Sequence, residues 1–272
     1  MTDIGSIFRA LHEAEDTFII PNPWDIGTAK MMAAMGFKAL ATTSAGYAFT
    51  RGAADGGIGF EEMVQHCRHI VGATPLPVSG DLACGKGHSP ESAAETIFAA
   101  DAAGLAGCSL EDATGDPANP IYDFSHAVER VAAAVEAARA LKRDFVFTAR
   151  AENLLYGRDL DDTIKRLQAF EKAGADVLYA PGLKRMEDVR AVVQSVSRPV
   201  NVLASDEAFS VAALAEAGVK RISLGSRLAG LTYGAIVRAI QEMLEEGSFQ
   251  FNLDVMPSER IVELFEAGAR RT

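Results

Sequence analysis

Short runs of apolar and β-branched residues alternate along the chain with amphipathic or alanine-rich stretches. A short, continuously apolar run is typical of a strand that is buried on both faces of a parallel sheet. The chain contains eight such runs, at residues 18–21, 39–43, 76–80, 107–111, 145–150, 177–180, 200–203 and 221–225. The pattern therefore predicts eight strands.

The stretches between these runs have the pattern of helices. They lie near residues 26–35, 60–72, 90–103, 125–141, 161–173, 185–195, 209–217 and 228–246. Several are followed by a glycine, which commonly ends a helix, and the same helix–glycine–strand junction recurs, as in Ala173-Gly-Ala-Asp-Val and Ala217-Gly-Val-Lys-Arg-Ile. Eight βα units predict an α/β fold, the (β/α)8 TIM barrel, with an open doubly wound sheet as the alternative.

The chain of 272 residues is long enough for one barrel of this kind. It shows no linker rich in Pro, Gly or Ser and no shift in composition that would divide it. We therefore predict a barrel catalytic domain over residues 1–247 and a C-terminal extension over 248–272, which we expect to contact another subunit.

Composition narrows the class of protein. Hydrophobic residues make up 49% of the chain and charged residues 23%, which is ordinary for a globular domain. The formal net charge of −11 disfavours binding to nucleic acid or to an anionic membrane. The sequence shows neither a long apolar span nor a basic N-terminal region followed by an apolar one, and its three cysteines are scattered. We expect a soluble, cytoplasmic protein in a reducing compartment.

Polar residues collect at the carboxyl ends of the predicted strands, where barrel enzymes place their active sites. Four acidic residues and one arginine stand at such ends: Asp81, Glu111, Asp112, Glu152 and Arg150. Carboxylates that converge in a buried mouth repel each other, and Mg²⁺ with oxygen ligands relieves that repulsion. Helix caps and loop salt bridges are the alternative interpretation. No lysine stands at a strand end, which argues against a Schiff-base aldolase.

Three shorter motifs are weaker signals. Gly85-Lys-Gly-His-Ser-Pro lacks the third glycine of a dinucleotide loop, and His66 and His69 on one predicted helix are more typical of surface residues than of a zinc site. Ser223-Leu-Gly-Ser226, after the eighth strand, resembles the backbone cradle that binds phosphate in many barrels.

Six segments of the chain form a set with a recognisable order and spacing: Ala41-Thr-Thr-Ser-Ala-Gly-Tyr, Gly52-Ala-Ala-Asp, Pro77-Val-Ser-Gly-Asp, Gly107-Cys-Ser-Leu-Glu-Asp, Thr148-Ala-Arg-Ala-Glu and Ala173-Gly-Ala-Asp-Val. In these segments the chain resembles the isocitrate lyase/phosphoenolpyruvate mutase superfamily, and the likeness covers nearly all of residues 18–247. That family is a (β/α)8 barrel whose last helix is typically swapped between subunits. It binds Mg²⁺ and makes or breaks a C–C or P–C bond next to a 2-oxo acid through an enolate-like intermediate.

The resemblance implies roles for individual residues. Thr43, Ser44 and Ala45 match the segment that holds the substrate carboxylate, and Arg150 matches the arginine that binds the carboxylate and the oxo group. The predicted metal ligands are Asp55, Asp81 and Glu111. Tyr47 or the 113–123 loop is the candidate proton donor, and Asn201, at the end of the seventh predicted strand, is a candidate substrate-binding residue.

The chain also departs from the family pattern. Ser79 stands where we place the direct Mg²⁺ ligand of the family, and the Lys-Lys-Cys-Gly-His loop of the true isocitrate and methylisocitrate lyases is missing after the fourth strand. Cleavage of isocitrate is therefore not expected. Asn119 falls where phosphonomutases place an asparagine that contacts the phosphoryl group. Together with Arg150 and Tyr47 it completes the set of predicted catalytic residues. The loop over residues 113–123, between the fourth strand and its helix, contains Gly115, Pro117 and Pro120 and is a candidate lid.

Taken with the resemblance, these residues predict a Mg²⁺-dependent carbon–carbon lyase that acts on a small 2-oxo or 2-hydroxy dicarboxylate through an enolate. A phosphonopyruvate-type P–C mutase or hydrolase is one alternative, and a non-catalytic barrel that binds an oxo acid is another. The resemblance also implies a homo-oligomer, either a dimer or a tetramer.

Overall fold

Eight parallel strands form the centre of the molecule. The computed structural model describes residues 3–269. Its strands are β1 (Phe18–Ile20), β2 (Leu40–Ala41), β3 (Val78–Asp81), β4 (Gly107–Glu111), β5 (Val146–Arg150), β6 (Val177–Tyr179), β7 (Val200–Leu203) and β8 (Arg221–Ser223). From β2 to β8 each strand pairs with the next, and β8 pairs with β1.

The sheet closes where β1 ends. The amide of Ala41 donates to the carbonyl oxygen of Pro21 at 3.0 Å and thereby joins β2 to the end of β1. The result is a nearly closed (β/α)8 barrel, which confirms the predicted fold class. Pairing of the first strand with the last excludes the open doubly wound sheet.

Helices surround the barrel. They are α1 (Ile4–Glu13), α2 (Ile26–Ala34), α3 (Ser44–Thr50), α4 (Phe60–Ala73), α5 (Pro90–Ala102), α6 (Phe124–Ala140), α7 (Leu160–Ala173), α8 (Met186–Ser195), α9 (Val211–Glu216), α10 (Arg227–Glu245) and α11 (Ser258–Ala267). Short 3₁₀ turns span Asn153–Tyr156 and Gln250–Asp254. Within residues 3–269 no helix is long and apolar enough to cross a membrane.

The eight predicted helices all form, and their local end signals explain why. The side chain of Asp159 accepts from the amide of Asp162 to begin α7, and Gly174 ends that helix with a φ of 104°. Helices α1, α3 and α11 were not predicted from the pattern: α1 precedes the first strand, α11 follows the last βα unit, and α3 is a second helix in the connection from β2 to α4.

Helix α1 covers the amino end of the barrel. Phe8 is fully buried there against a small apolar cluster that includes Phe18, Val146 and Val177. The helix approaches so closely that a Cβ added at Gly5 would lie 1.7 Å from the carbonyl oxygen of Asp144. This end of the barrel is therefore closed, and access to its interior is from the carboxyl ends of the strands.

Helix α1 also places a neutral histidine inside the barrel. Burial, and then the positive charge of Arg221, lower the pKa of His12 to about 3. The unfolded chain takes up this proton near pH 6.5, so acid favours the unfolded state. We expect the free energy of unfolding to fall as the pH drops from about 6.5 to 5, with a slope of up to about 1.4 kcal/mol per pH unit from this residue.

Urea unfolding of the wild type and of His12→Gln across this pH range measures the slope. His66 is also buried with a lowered pKa, so part of the slope should remain in the variant. His69→Gln is the matched control, because His69 is exposed. The same slope in wild type and His12→Gln would contradict the prediction.

Candidate active site

A cavity of about 550 Å³ opens at the carboxyl ends of the strands. It lies at the end of the barrel opposite α1, and polar side chains from most of the strands face it. All the residues predicted to bind metal or substrate line this mouth cavity: Thr43, Ser44, Ala45, Asp55, Asp81, Glu111, Arg150 and Asn201. The fold therefore brings together residues that are far apart in the sequence.

Arg150 is at the centre of the cavity's charged groups. Its guanidinium lies 2.9 Å from Asp81, 3.3 Å from Glu111 and 2.9 Å from Glu152, and over the ring of Tyr179 at 4.9 Å. Burial alone would lower its pKa, but the three carboxylates raise it well above the ordinary value. Arg150 is therefore a permanent cation at the end of β5.

The segment after β2 presents its backbone to the same place. The hydroxyl of Thr43 accepts from the amide of Gly46 and begins α3. This turn places the amide and hydroxyl of Ser44 2.9 Å from one carboxylate oxygen of Asp81, and the same hydroxyl lies 3.1 Å from Asp55. Ser44 thus connects two of the predicted metal ligands.

The carboxylates are crowded. Burial raises the pKa of Glu111, with repulsion from Glu152 and Asp81 adding to the effect and Arg150 opposing it. Burial likewise raises the pKa of Glu152. Partial loss of solvent, followed by repulsion from Asp81, raises the pKa of Asp55. The site has more negative charge than Arg150 neutralises.

This donor set fits a hard divalent cation such as Mg²⁺. The available ligands are carboxylate and hydroxyl oxygens, and Mg²⁺ typically binds one or two carboxylates while keeping several waters. Within residues 3–269 no group of three His, Cys, Asp or Glu side chains forms a ready cage. Ser79 is buried two residues before Asp81, so a cation here would rely on Asp81, Glu111 and Asp55 together with water and substrate oxygens.

Glu111 and Asp112 are neighbours in sequence with different surroundings. Glu111 faces the cavity, whereas Asp112 is buried against Arg166 at 3.0 Å and accepts from the backbone amide of Glu152 at 2.8 Å. Asp112 therefore supports the loop after β5. The alternative interpretation of strand-end acids as structural ion pairs is correct for Asp112.

Two predicted catalytic residues, Tyr47 and Asn119, are not among the residues that line the cavity. The hydroxyl of Tyr47 donates to Glu62 at 3.1 Å, and its ring stacks on His66, which is buried rather than on the surface. Asn119 is exposed in the 113–123 loop. The same loop does reach the cavity, but through Ala113 and Gly115.

The loop after β8 is hydrogen-bonded to the segment that follows β1. The side-chain oxygen of Asn22 accepts from the amides of Leu224 and Gly225 at 2.8 and 2.9 Å. These are two of the amides that a phosphate cradle at Ser223–Ser226 could use, and both already bind Asn22, although Ser223, Gly225 and Ser226 line the mouth cavity.

Several cavity residues were absent from the predicted site. Glu152, which follows β5, was identified as a strand-end acid but was given no role, and Tyr179, which ends β6, could have been found by the same rule. Leu155 and Tyr156 are exposed on the 3₁₀ turn after β5 and line the rim. Arg221 also lines the cavity, but it begins a strand, and no strand-end signal marks it.

Comparison with known proteins agrees with this geometry. The family model described as phosphoenolpyruvate phosphomutase matches residues 8–244. An oxaloacetate decarboxylase of Paraburkholderia xenovorans is 30% identical over 211 residues, which cover 74% of this chain and 67% of that protein. The 2-methylisocitrate lyase of Escherichia coli is 29% identical over 204 residues, covering 72% and 68%.

A solved structure is more similar still. A Burkholderia cenocepacia J2315 protein, described provisionally as a lyase/mutase, is 49% identical, with a TM-score of 0.94 over 97% of each chain. Homologues of this chain are thus lyases, in agreement with the prediction of an enzyme of this class. The chain belongs to the phosphoenolpyruvate phosphomutase family, within the isocitrate lyase/phosphoenolpyruvate mutase superfamily.

Proposed function

We propose that the protein is a Mg²⁺-dependent carbon–carbon lyase that acts on a small 2-oxo or 2-hydroxy dicarboxylate through an enolate. The observation that carries this proposal is the position of Arg150, a half-buried guanidinium that is held among Asp81, Glu111 and Glu152 and faces an open cavity. Asp81, Glu111 and Asp55 would hold the metal. Bound Mg²⁺ supplies Lewis-acid stabilisation of negative charge on oxygen.

The chain's own residues would then bind and orient the substrate. Ser44 and Ala45, at the start of α3, line the cavity and would bind one carboxylate in exchange for the present contacts of Ser44 with Asp81 and Asp55. Arg150 would donate to the oxo group, on which negative charge develops as the C–C bond breaks. Asp112 and Arg166 hold the loop after β5 and thereby keep Glu152 against Arg150. The 113–123 loop is the proposed lid, and we expect it to exclude water.

A substrate panel tests this function. The purified protein is incubated with Mg²⁺ and, separately, oxaloacetate, alkylmalates, methylisocitrate and phosphonopyruvate, while pyruvate, oxalate, phosphate and phosphoenolpyruvate are measured. Release of a 2-oxo acid or oxalate from a dicarboxylate supports the lyase. Turnover of phosphonopyruvate alone would overturn it, with phosphate and pyruvate as the products of a P–C hydrolase and phosphoenolpyruvate as the product of a P–C mutase. Tight oxalate binding with no turnover would instead indicate the non-catalytic oxo-acid-binding barrel.

We also propose a homo-oligomer, a dimer or tetramer in the cytoplasm, in which α10 is swapped between subunits and the 248–272 extension contacts a neighbour. Helix α10 exposes several apolar side chains, and among helices its main contact in the chain is the short α3. Helix α11 returns to pack on α2, and residues 270–272 lie outside the described residues. Sedimentation equilibrium tests this: a monomer at micromolar concentration would contradict it. The exposed large apolar residues of α10 are Leu231, Tyr233, Ile236, Val237, Ile240, Met243 and Leu244.

A further inference from the structure

Arg221 is a buried cation inside the barrel. It begins β8, pairs in register with Asn201 on β7 and Phe18 on β1, and is only 5% exposed. Because it lies at the start of its strand, it is deeper in the barrel than Arg150, which ends β5. Arg221 nevertheless lines the mouth cavity, at its floor.

All the hydrogen-bond partners of Arg221 are neutral. Its Nε donates to the side-chain oxygen of Asn201 at 2.8 Å, and one terminal nitrogen donates to the hydroxyl of Thr148 at 3.1 Å. The other lies 3.3 Å from Nε2 of His12. Since Nδ1 of His12 must donate to the carbonyl oxygen of Phe8, Nε2 is the acceptor in the neutral ring.

Arg166, another buried arginine, instead forms ion pairs with Asp112 and Asp162. Arg130 resembles Arg221 in having only neutral partners, since it donates to three backbone carbonyls of the loop after β3, but it does not line the mouth cavity. None of the ion pairs within residues 3–269 includes Arg221. A buried charge without an opposite charge is costly, so its position at a cavity wall points to an anion that arrives from outside.

Burial does not remove the charge of Arg221. It lowers the pKa of the guanidinium to about 10, which still leaves the group protonated at neutral pH. The carboxylates of Asp55, Asp81, Glu111 and Glu152 outnumber the two guanidinium groups of the cavity, and a bound divalent cation would balance the charges. Removing Arg221 would leave the loaded site with an excess negative charge.

We propose that Arg221 is a positioning residue whose charge, held at the cavity floor without an ion-pair partner, favours a doubly negative ligand over a singly negative one. This proposal rests on the proposed function in placing the substrate in this cavity, and it deepens that function by naming the residue that selects a ligand by its charge. The Coulomb energy of a ligand in the field of Arg221 scales with the ligand's charge. Loss of the guanidinium therefore affects a dianion more than a monoanion of the same shape.

Oxalate and oxamate are such a pair, since they have nearly the same shape but carry two charges and one. Calorimetric titration in the presence of Mg²⁺ gives the dissociation constant of each for the wild type, Arg221→Met and Arg221→Lys. We expect Arg221→Met to weaken oxalate binding about tenfold and oxamate binding about threefold. The loss of binding free energy is then about twice as large for oxalate, because oxalate carries two charges and oxamate one. Arg221→Lys should restore most of the preference for oxalate.

Arg143→Met is the control. Arg143 is partly buried and pairs with Asp101 away from the mouth cavity. We expect this variant to lower the free energy of unfolding without changing the ratio of the dissociation constants of oxalate and oxamate. Equal weakening of the two ligands in Arg221→Met would assign Arg221 a structural role and overturn the proposal, as would a wild type that binds no oxalate. Because binding is measured, absence of turnover would contradict only the lyase function.

Discussion

Replacing Arg150 with alanine is expected to lower kcat/KM by about 10³-fold on whichever substrate the panel identifies. The guanidinium is the only cationic side chain in contact with Asp81, Glu111 and Glu152 within residues 3–269, and it faces the cavity where negative charge would develop. Removing one well-placed donor to a developing oxyanion typically costs about 10²–10³-fold, and here a formal charge is lost as well. Steady-state kinetics at saturating Mg²⁺ measure the effect.

Two further variants make this result interpretable. Arg150→Lys keeps a charge but loses the planar fork that contacts three carboxylates at once, so we expect it to recover only part of the activity. Arg143→Ala removes an arginine that pairs with Asp101 away from the mouth cavity, and its kcat/KM should stay near the wild-type value. An unchanged rate in Arg150→Ala would show that the mouth cavity is not the active site.

Replacing Asp81 with alanine is expected to weaken Mg²⁺ binding at least about 100-fold. Asp81 ends β3, and its carboxylate lies between Ser44 and Arg150 near the other predicted ligands. Loss of even an outer-shell partner of a metal costs roughly 10–100-fold in affinity, and a direct ligand costs at least as much. Calorimetric titration with Mg²⁺ measures the change, and Asp81→Asn, which keeps the side-chain volume, should show the same loss.

Asp116→Ala is the control, because Asp116 is an exposed acid on the 113–123 loop. It removes the same charge and should leave Mg²⁺ affinity within about twofold, since exposed charges are screened by salt. In the wild type, affinity should also fall as the pH is lowered. Burial raises the pKa of Glu111 and of Asp55, so protons compete with the metal there. Undiminished binding in both Asp81 variants would place the metal elsewhere.

The accuracy of the sequence-based site depended on where each residue lies relative to its strand. Asp81, Glu111 and Arg150 end their strands, and parallel strands of a barrel bring these ends to one mouth, so their convergence was predictable. Tyr47 and Asn119 lie in the segments that follow the strands. Their orientation depends on the packing of Tyr47 on His66 and on the turns of the 113–123 loop, which no local pattern reveals.

The amino-acid sequence by itself determined the eight βα units, because hydrophobic periodicity and helix-ending glycines are local properties of the chain. It also placed Asp81, Glu111 and Arg150 at strand ends, which a barrel brings to one mouth. Only the tertiary structure separated Glu111, which faces the cavity, from Asp112, which is paired with Arg166 behind it. Only the tertiary structure placed Arg221 under the site, since its partners Asn201, Thr148 and His12 come from different elements that closure of the barrel brings together.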